Sequence, residues 1–141
     1  MRTNKYILSL STIPSRIFNI DKTLDSLLNQ TITPEQIILN IPRKYTLRFK
    51  VSMDIINIEK LLDKYLDKII INYVDEDNGP GTKLLGLLKS DINLDLKDTY
   101  IVLVDDDVIY KPIMLKYYNN YNKKKHNINL QTASFFCYNM N

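Results

Sequence analysis

The chain has 141 residues, 45% of them apolar and 25% charged, and carries a net charge of +3 from 19 Lys and Arg against 16 Asp and Glu. That length suits one domain, residues 1–141, able to bury a core without a disulfide or a structural metal, and the average apolar content excludes an intrinsically disordered chain. The charge is too weak to argue for a nucleic-acid partner, and no stretch approaches the roughly 20 apolar residues that cross a bilayer. Tyr6–Leu10 is too short and too interrupted for a signal peptide. A single cysteine, Cys137, cannot form an internal disulfide. A cytoplasmic setting is the expectation.

Two periodicities alternate along the chain. Lys5–Leu10 reads as a buried strand, ended by Pro14, which has no ladder donor. Ile17, Ile20, Leu24, Leu27 and Leu28 fall at helical spacing, with Asp21, Lys22 and Asp25 on the opposite face. Thr33-Pro34 ends that helix, and Gln36–Ile41 is a second strand closed by Pro42. The polar stretch Arg43–Ser52 fits neither period. Ile55, Ile58, Leu61, Leu62, Tyr65 and Leu66 predict another amphipathic helix, and Lys68–Val74 a third strand. Asp75–Gly81 holds Pro80 and two of the three glycines, the sharpest break in the chain. Thr82–Lys89 predicts a helix, Thr99–Val104 a strand buried on both faces, and Pro112–Lys125 a helix with its proline in the first turn. Asn127–Tyr138 leans towards strand. Strands alternating with helices imply an α/β sandwich around a mostly parallel sheet, and such sheets bind ligands beyond the carboxyl ends of their strands.

Three segments lie at those ends. Asp105-Asp106-Asp107 follows the fourth strand. In extended geometry Asp105 and Asp107 point to one side and Asp106 to the other. Two carboxylates about 6 Å apart repel by roughly 2–3 kcal/mol at an effective dielectric near 20. A hard divalent cation, Mg²⁺ or Mn²⁺, relieves that repulsion, usually with substrate phosphates completing its shell; a solvated acidic turn is the plain alternative. Asp77-Asn78-Gly79-Pro80-Gly81-Thr82-Lys83 lacks the Walker spacing. It nonetheless places Lys83 in the first turn of a helix, where a cation opposes the macrodipole unless an anion or a carboxylate lies nearby. Its alternative is a tight turn with Thr82 as helix cap. Ser11-Thr12-Ile13-Pro14-Ser15-Arg16 offers hydroxyls and a guanidinium suited to ribose or phosphate, or else a helix-capping segment with Ser15 as N-cap. His126, beside Lys123-Lys124-Lys125, reads as a solvated basic helix end. Cys137 reads as inert, and Tyr117, Tyr118 and Tyr121 as packing.

Taken together, Thr12-Ile13-Pro14-Ser15-Arg16, the Asp77–Lys83 segment and Asp105-Asp106-Asp107 resemble the nucleotide-sugar-binding half of a GT-A-type glycosyltransferase. The likeness is to a viral and bacterial family with Thr-x-Pro-Ser-Arg, Asp-x-Gly-Pro-x-x-Lys and Asp-Asp-Asp motifs, and it runs from about Lys5 to Leu115. It implies a Rossmann-like GT-A sandwich, short or truncated, that is metal-dependent and uses a nucleoside diphosphate sugar, a UDP-sugar above all, to glycosylate a glycan or protein acceptor. By this resemblance Asp105 and Asp107 hold Mn²⁺ or Mg²⁺, and Asp105 and Asp106 belong to the donor site. Thr12 and Arg16 line the nucleotide pocket, Asp77 faces base or ribose, and Lys83 lies near the diphosphate or braces the aspartates. A viral origin would place the protein in host cytoplasm or virion. Complete enzymes of this fold continue well beyond the aspartates, and residues 108–141 contain no Asp or Glu to serve as the base an inverting transfer needs. The expectation therefore divides among a minimal enzyme, a donor-binding remnant, and a subunit whose partner chain supplies the acceptor half.

Overall fold

The computed structural model describes residues 4–45, 53, 56–95 and 97–124. The strand expected at 127–138, His126, Cys137, and most of the polar stretch at 43–52 lie outside the described residues. Four strands, β1 (Lys5–Ser11), β2 (Gln36–Pro42), β3 (Ile70–Val74) and β4 (Thr99–Leu103), form one sheet in the order β3-β2-β1-β4. Every pairing is parallel, with Leu8 opposite Ile37 on one side and Val102 on the other. The expected α/β sandwich is therefore present, with an all-parallel sheet.

Side-chain alternation assigns the two faces. Tyr6, Leu8 and Leu10 of β1 with Leu39 and Ile41 of β2 meet Leu24 and Leu27 of helix α1 (Asp21–Leu28), Ile58 of α2 (Ile58–Leu61) and Met114 and Leu115 of α4 (Met114–Lys124). Ile7 and Ile38 face the other way and pack on Leu87 of α3 (Thr82–Leu88). Nearly all of these side chains are fully buried. At about 1.5–3 kcal/mol for each large aliphatic taken out of water, the central pair β1–β2 anchors the fold. On the first face, Tyr6 Oη and Asn4 Nδ2 both donate to Asn119 Oδ1 at 3.3 Å, which fastens α4 against the start of β1.

Several local expectations differ from the structure. The helix expected from Ile17 begins as a 3-10 turn over Ile17–Asn19, and α1 proper starts at Asp21, capped by Ile20 with no side-chain hydrogen bond, so Ser15 is not its N-cap. The amphipathic run ending at Leu66 yields only one α-helical turn, α2, followed by a 3-10 turn at Asp63–Tyr65; Tyr65 bonds to Asp25 and Asp21 of the neighbouring helix instead of continuing its own. β4 is an edge strand among the described residues, so Tyr100 and Leu103 are about 40% exposed rather than buried on both faces. An apolar sequence reports a hydrophobic neighbourhood and does not say how many neighbours a strand has.

β2 follows β1 to one side with α1 on one face. From β3 the chain crosses under the sheet through α3 to emerge on the far side of β1 as β4. The order in which strands are added therefore reverses at β1, and the loops leaving the carboxyl ends of β1 and β4 diverge there. That reversal is where open parallel sheets form ligand crevices.

Candidate functional site

The crevice is built from three loops, and its scaffold is polar and buried. After β1, Thr12 turns inward, 2% exposed, and donates through Oγ1 to Asp106 Oδ2 at 2.6 Å. Its carbonyl accepts from Tyr45 Oη at 2.5 Å. Arg16, in the turn that precedes the 3-10 segment, extends one guanidinium nitrogen to Asp106 Oδ1 at 3.0 Å and to Asp107 Oδ2 at 2.9 Å. The β1 and β4 loops are thus cross-linked by charge-assisted hydrogen bonds, the stronger class.

β4 stops at Leu103, and Asp106-Asp107 forms a turn. The alternation expected for an extended run nevertheless survives: Asp106 is 6% exposed, whereas the side chains of Asp105 and Asp107 are 60% and 55% exposed. Burial assigns Asp106 to the framework, where its carboxylate braces Thr12 and Arg16. The turn itself is clamped from α1 and from Gln30, two residues beyond its end. Thr23 Oγ1 donates to the Asp106 carbonyl at 3.0 Å, Ser26 Oγ accepts from the Tyr110 amide at 3.0 Å, and Gln30 bonds the Lys111 carbonyl and the Leu115 amide. Tyr110 then returns to the motif, its hydroxyl accepting from the Asp105 amide at 2.7 Å. Thr23, Ser26 and Gln30 follow one another at i, i+3 and i+7, the spacing of one helix face. That polar stripe was the available signal, and attention to the apolar stripe alone overlooks it. Nothing local in the sequence singled out Tyr45.

The third loop leaves β3. Asp77 Oδ1 accepts from the Gly79 amide at 2.9 Å, and Thr82 Oγ1 accepts from the Asn78 amide at 2.9 Å. Gly79 has φ 59°, a conformation that glycine adopts without steric cost. Thr82 is the first residue of α3 rather than its cap. Lys83, in that first turn, forms a direct ion pair with Asp105. Its unusual position has a physical reason, because the carboxylate that offsets the helix macrodipole comes from the β4 loop. The helix is set at the right depth by a buried network on the sheet. Ser9 Oγ donates to the Lys83 carbonyl at 2.5 Å, Asn40 Nδ2 donates to Ser9 Oγ at 2.9 Å, and Asn72 Nδ2 donates to Asn40 Oδ1 and the Gly86 carbonyl. A Cβ at Gly86 would lie 2.9 Å from both Asn40 Oδ1 and Val74 Cγ1, so only glycine admits this approach. These four positions also escaped the sequence reading, because isolated polar residues in strands carry no motif.

Thr12, Arg16, Asp77, Lys83, Asp105 and Asp106 all line one cleft of about 120 Å³, and Asp107 adjoins it through Arg16. Two cations face four carboxylates there. Small-molecule sites usually measure about 300–1,000 Å³, so the cleft is small, and the paired side chains of Arg16 and Lys83 lie in its lining. A larger cleft of about 290 Å³ lies beside β3, between Asp75, Glu76 and Lys89, Asp91. It lies away from the β1–β4 reversal, where ligand crevices form in such sheets. Among the described residues no group of three or more His, Cys, Asp or Glu side chains is arranged to hold a metal. Asp105 and Asp107 are the two exposed carboxylates at this edge, oxygen ligands of the type that a hard cation takes.

No protein-family model matches the chain, and no curated protein matches it. Among solved structures it is similar to S. aureus TarS 1-349, a glycosyltransferase, at 17% identity and a TM-score of 0.57, over 86% of this chain and 33% of that one. The likeness shows the fold, an α/β sandwich around a parallel sheet. The chain spans about a third of the length of that structure. No helix among the described residues is long and apolar enough to cross a membrane.

Proposed function

We propose that this chain binds a nucleoside diphosphate sugar, a UDP-sugar in the first instance, and forms the donor side of a metal-dependent glycosyltransferase. One observation carries the reading. Hydroxyl, guanidinium, ammonium and carboxylate groups from three segments far apart in sequence converge in one cleft at the point where strand order reverses. The glycosyltransferase-like fold supports it independently.

In this reading Thr12 and its carbonyl partner Tyr45 shape the nucleoside side, and Asp77 offers a carboxylate to base or ribose. Arg16 and Lys83 supply the cationic groups for the diphosphate, while Asp105 and Asp107 would hold Mn²⁺ or Mg²⁺. The cation's contribution would be to neutralise charge that builds on the departing diphosphate.

Calorimetric titration of UDP with Mn²⁺, and again with chelator, tests the donor site. Saturable binding with Mn²⁺ that disappears in Asp107→Ala supports it. Absence of UDP binding under both conditions refutes it. Release of UDP from a UDP-sugar together with a glycosylated product then separates a complete transferase from a binding chain.

A further inference from the structure

We infer that Asn78 is a latent deamidation site, and that the Asp77 carboxylate keeps it closed while the protein is folded. Asn78-Gly79 is the chain's only asparagine–glycine pair. Such a pair is chemically labile because glycine has no side chain to shield its own amide nitrogen from the carboxamide before it. In the reaction the Gly79 nitrogen gives up its proton and attacks Asn78 Cγ. The new N–Cγ bond closes a five-membered succinimide, and the carboxamide nitrogen leaves with that proton as ammonia. Water then opens the ring at either carbonyl, giving aspartate or isoaspartate, the second of which lengthens the main chain by one methylene.

The loop opposes ring closure by geometry and by charge. Closure requires the Gly79 nitrogen to swing to the Cβ side of Asn78, and with ψ at 24° it is turned nearly to the opposite side of the Cα–C bond. The peptide plane between the two residues is pinned at both of its polar atoms. Gly79 N–H donates to Asp77 Oδ1 at 2.9 Å, and the Asn78 carbonyl accepts from the Gly81 amide at 3.1 Å. Rotation into the reactive arrangement breaks both bonds at once. Nor can Asn78 turn as a unit, because its own amide donates at 2.9 Å to Oγ1 of Thr82, a buried residue of α3. Charge acts in the same direction. The attacking species is an amide anion, and a carboxylate already in contact with that N–H disfavours a second negative charge there.

Burial does not supply the protection. Asn78 is exposed and lines the cleft beside β3, so water reaches it, and its carboxamide does not cap the 3-10 turn Gly79–Gly81. The barrier resides in the peptide plane, and the rate of deamidation in the folded protein follows how often this loop opens.

The test incubates the full chain in mildly alkaline buffer, folded and in guanidinium chloride, and maps deamidation by peptide mass spectrometry. In denaturant Asn78 should react faster than any other asparagine of the chain, and in the folded protein more slowly by at least about tenfold, as the loss of two hydrogen bonds on opening implies. Asp77→Ala should raise the folded rate by at least about fivefold. Asp77→Ser, whose hydroxyl can accept from the Gly79 amide without carrying charge, should fall between the two. Thermal melts establish that each variant is folded at the incubation temperature. Equal rates for Asn78 in folded and denatured protein overturn the inference, as does an Asp77→Ala variant that stays folded and keeps the wild-type rate. Should Asp77→Ala fail to fold, hydrogen exchange at the Gly79 amide of the wild type decides: protection supports the lock, and exchange as fast as in an unstructured peptide overturns it.

Discussion

Asp106→Asn is expected to destabilise the protein far more than the same change at Asp107. The Asp106 carboxylate is 6% exposed and accepts from Thr12 at 2.6 Å and from Arg16 at 3.0 Å. Hydrogen bonds to a charged group contribute about 1.5–3 kcal/mol each. The Arg16 contact must be discounted because its side chain is 45% exposed. An asparagine keeps one acceptor and turns an amide donor towards either Thr12 or Arg16, which needs an acceptor of its own. The expected loss is about 2–3 kcal/mol. For a chain of this size that corresponds to a fall in Tm of roughly 8–12 °C, at about 4 °C per kcal/mol. Asp107 is 55% exposed and shares the same guanidinium at 2.9 Å, and exposed pairs of that kind contribute about 0–1 kcal/mol. Urea denaturation of both variants, with thermal melts alongside, measures the difference. Equal destabilisation within about 0.5 kcal/mol would refute the division of the triplet into one framework carboxylate and two exposed ones.

Gly86→Ala tests the polar seat of α3. Alanine gains about 1 kcal/mol of helix propensity, but its Cβ meets Asn40 and Val74 at 2.9 Å, and overpacking costs about 1–3 kcal/mol. The net expectation is a loss near 1 kcal/mol with weaker UDP binding, because α3 carries Lys83; a gain in stability would contradict the close approach. Tyr65→Phe tests the helix-to-helix contact. The Tyr65 hydroxyl donates to Asp25 at 2.7 Å, and burial pushes its pKa above the usual tyrosine value. A raised folded-state pKa gives stability that is complete below the unfolded value near 10 and is lost as pH rises through the folded one. The phenylalanine variant should therefore lose about 1 kcal/mol at neutral pH and show a flatter decline in alkali, measured by denaturation between pH 7 and pH 11; an unchanged alkaline slope would contradict the assignment.

The strand–helix alternation was legible because the apolar runs of β1 and β2 are long and each ends at or within three residues of a proline, Pro14 after β1 and Pro42 as the last residue of β2. Parallel pairing followed from helices between strands, and the carboxyl-end rule led to Thr12, Arg16, Lys83 and the aspartates before their convergence was visible. Burial did not follow. Thr99–Val104 reads as a central strand, yet β4 is paired only with β1 among the described residues, since strand order depends on how far the α3 crossover carries the chain. The run ending at Leu66 reads as one helix, yet Tyr65 satisfies its hydroxyl on α1, and the chain tightens into a 3-10 turn to bring it there. The framework beneath the site was the least legible part. Ser9, Asn40, Asn72 and Gly86 come from four elements, and only their packing around one buried cluster of hydrogen bonds gives them a shared purpose.

A crystal structure of the protein with UDP and Mn²⁺ tests the central claim most directly, because it locates the ligand. The account predicts the diphosphate between Arg16 and Lys83, with the cation on Asp105 and Asp107. Nucleotide in the cleft beside β3, against Asp75, Glu76 and Lys89, with the Arg16 and Lys83 pairs intact, would contradict it.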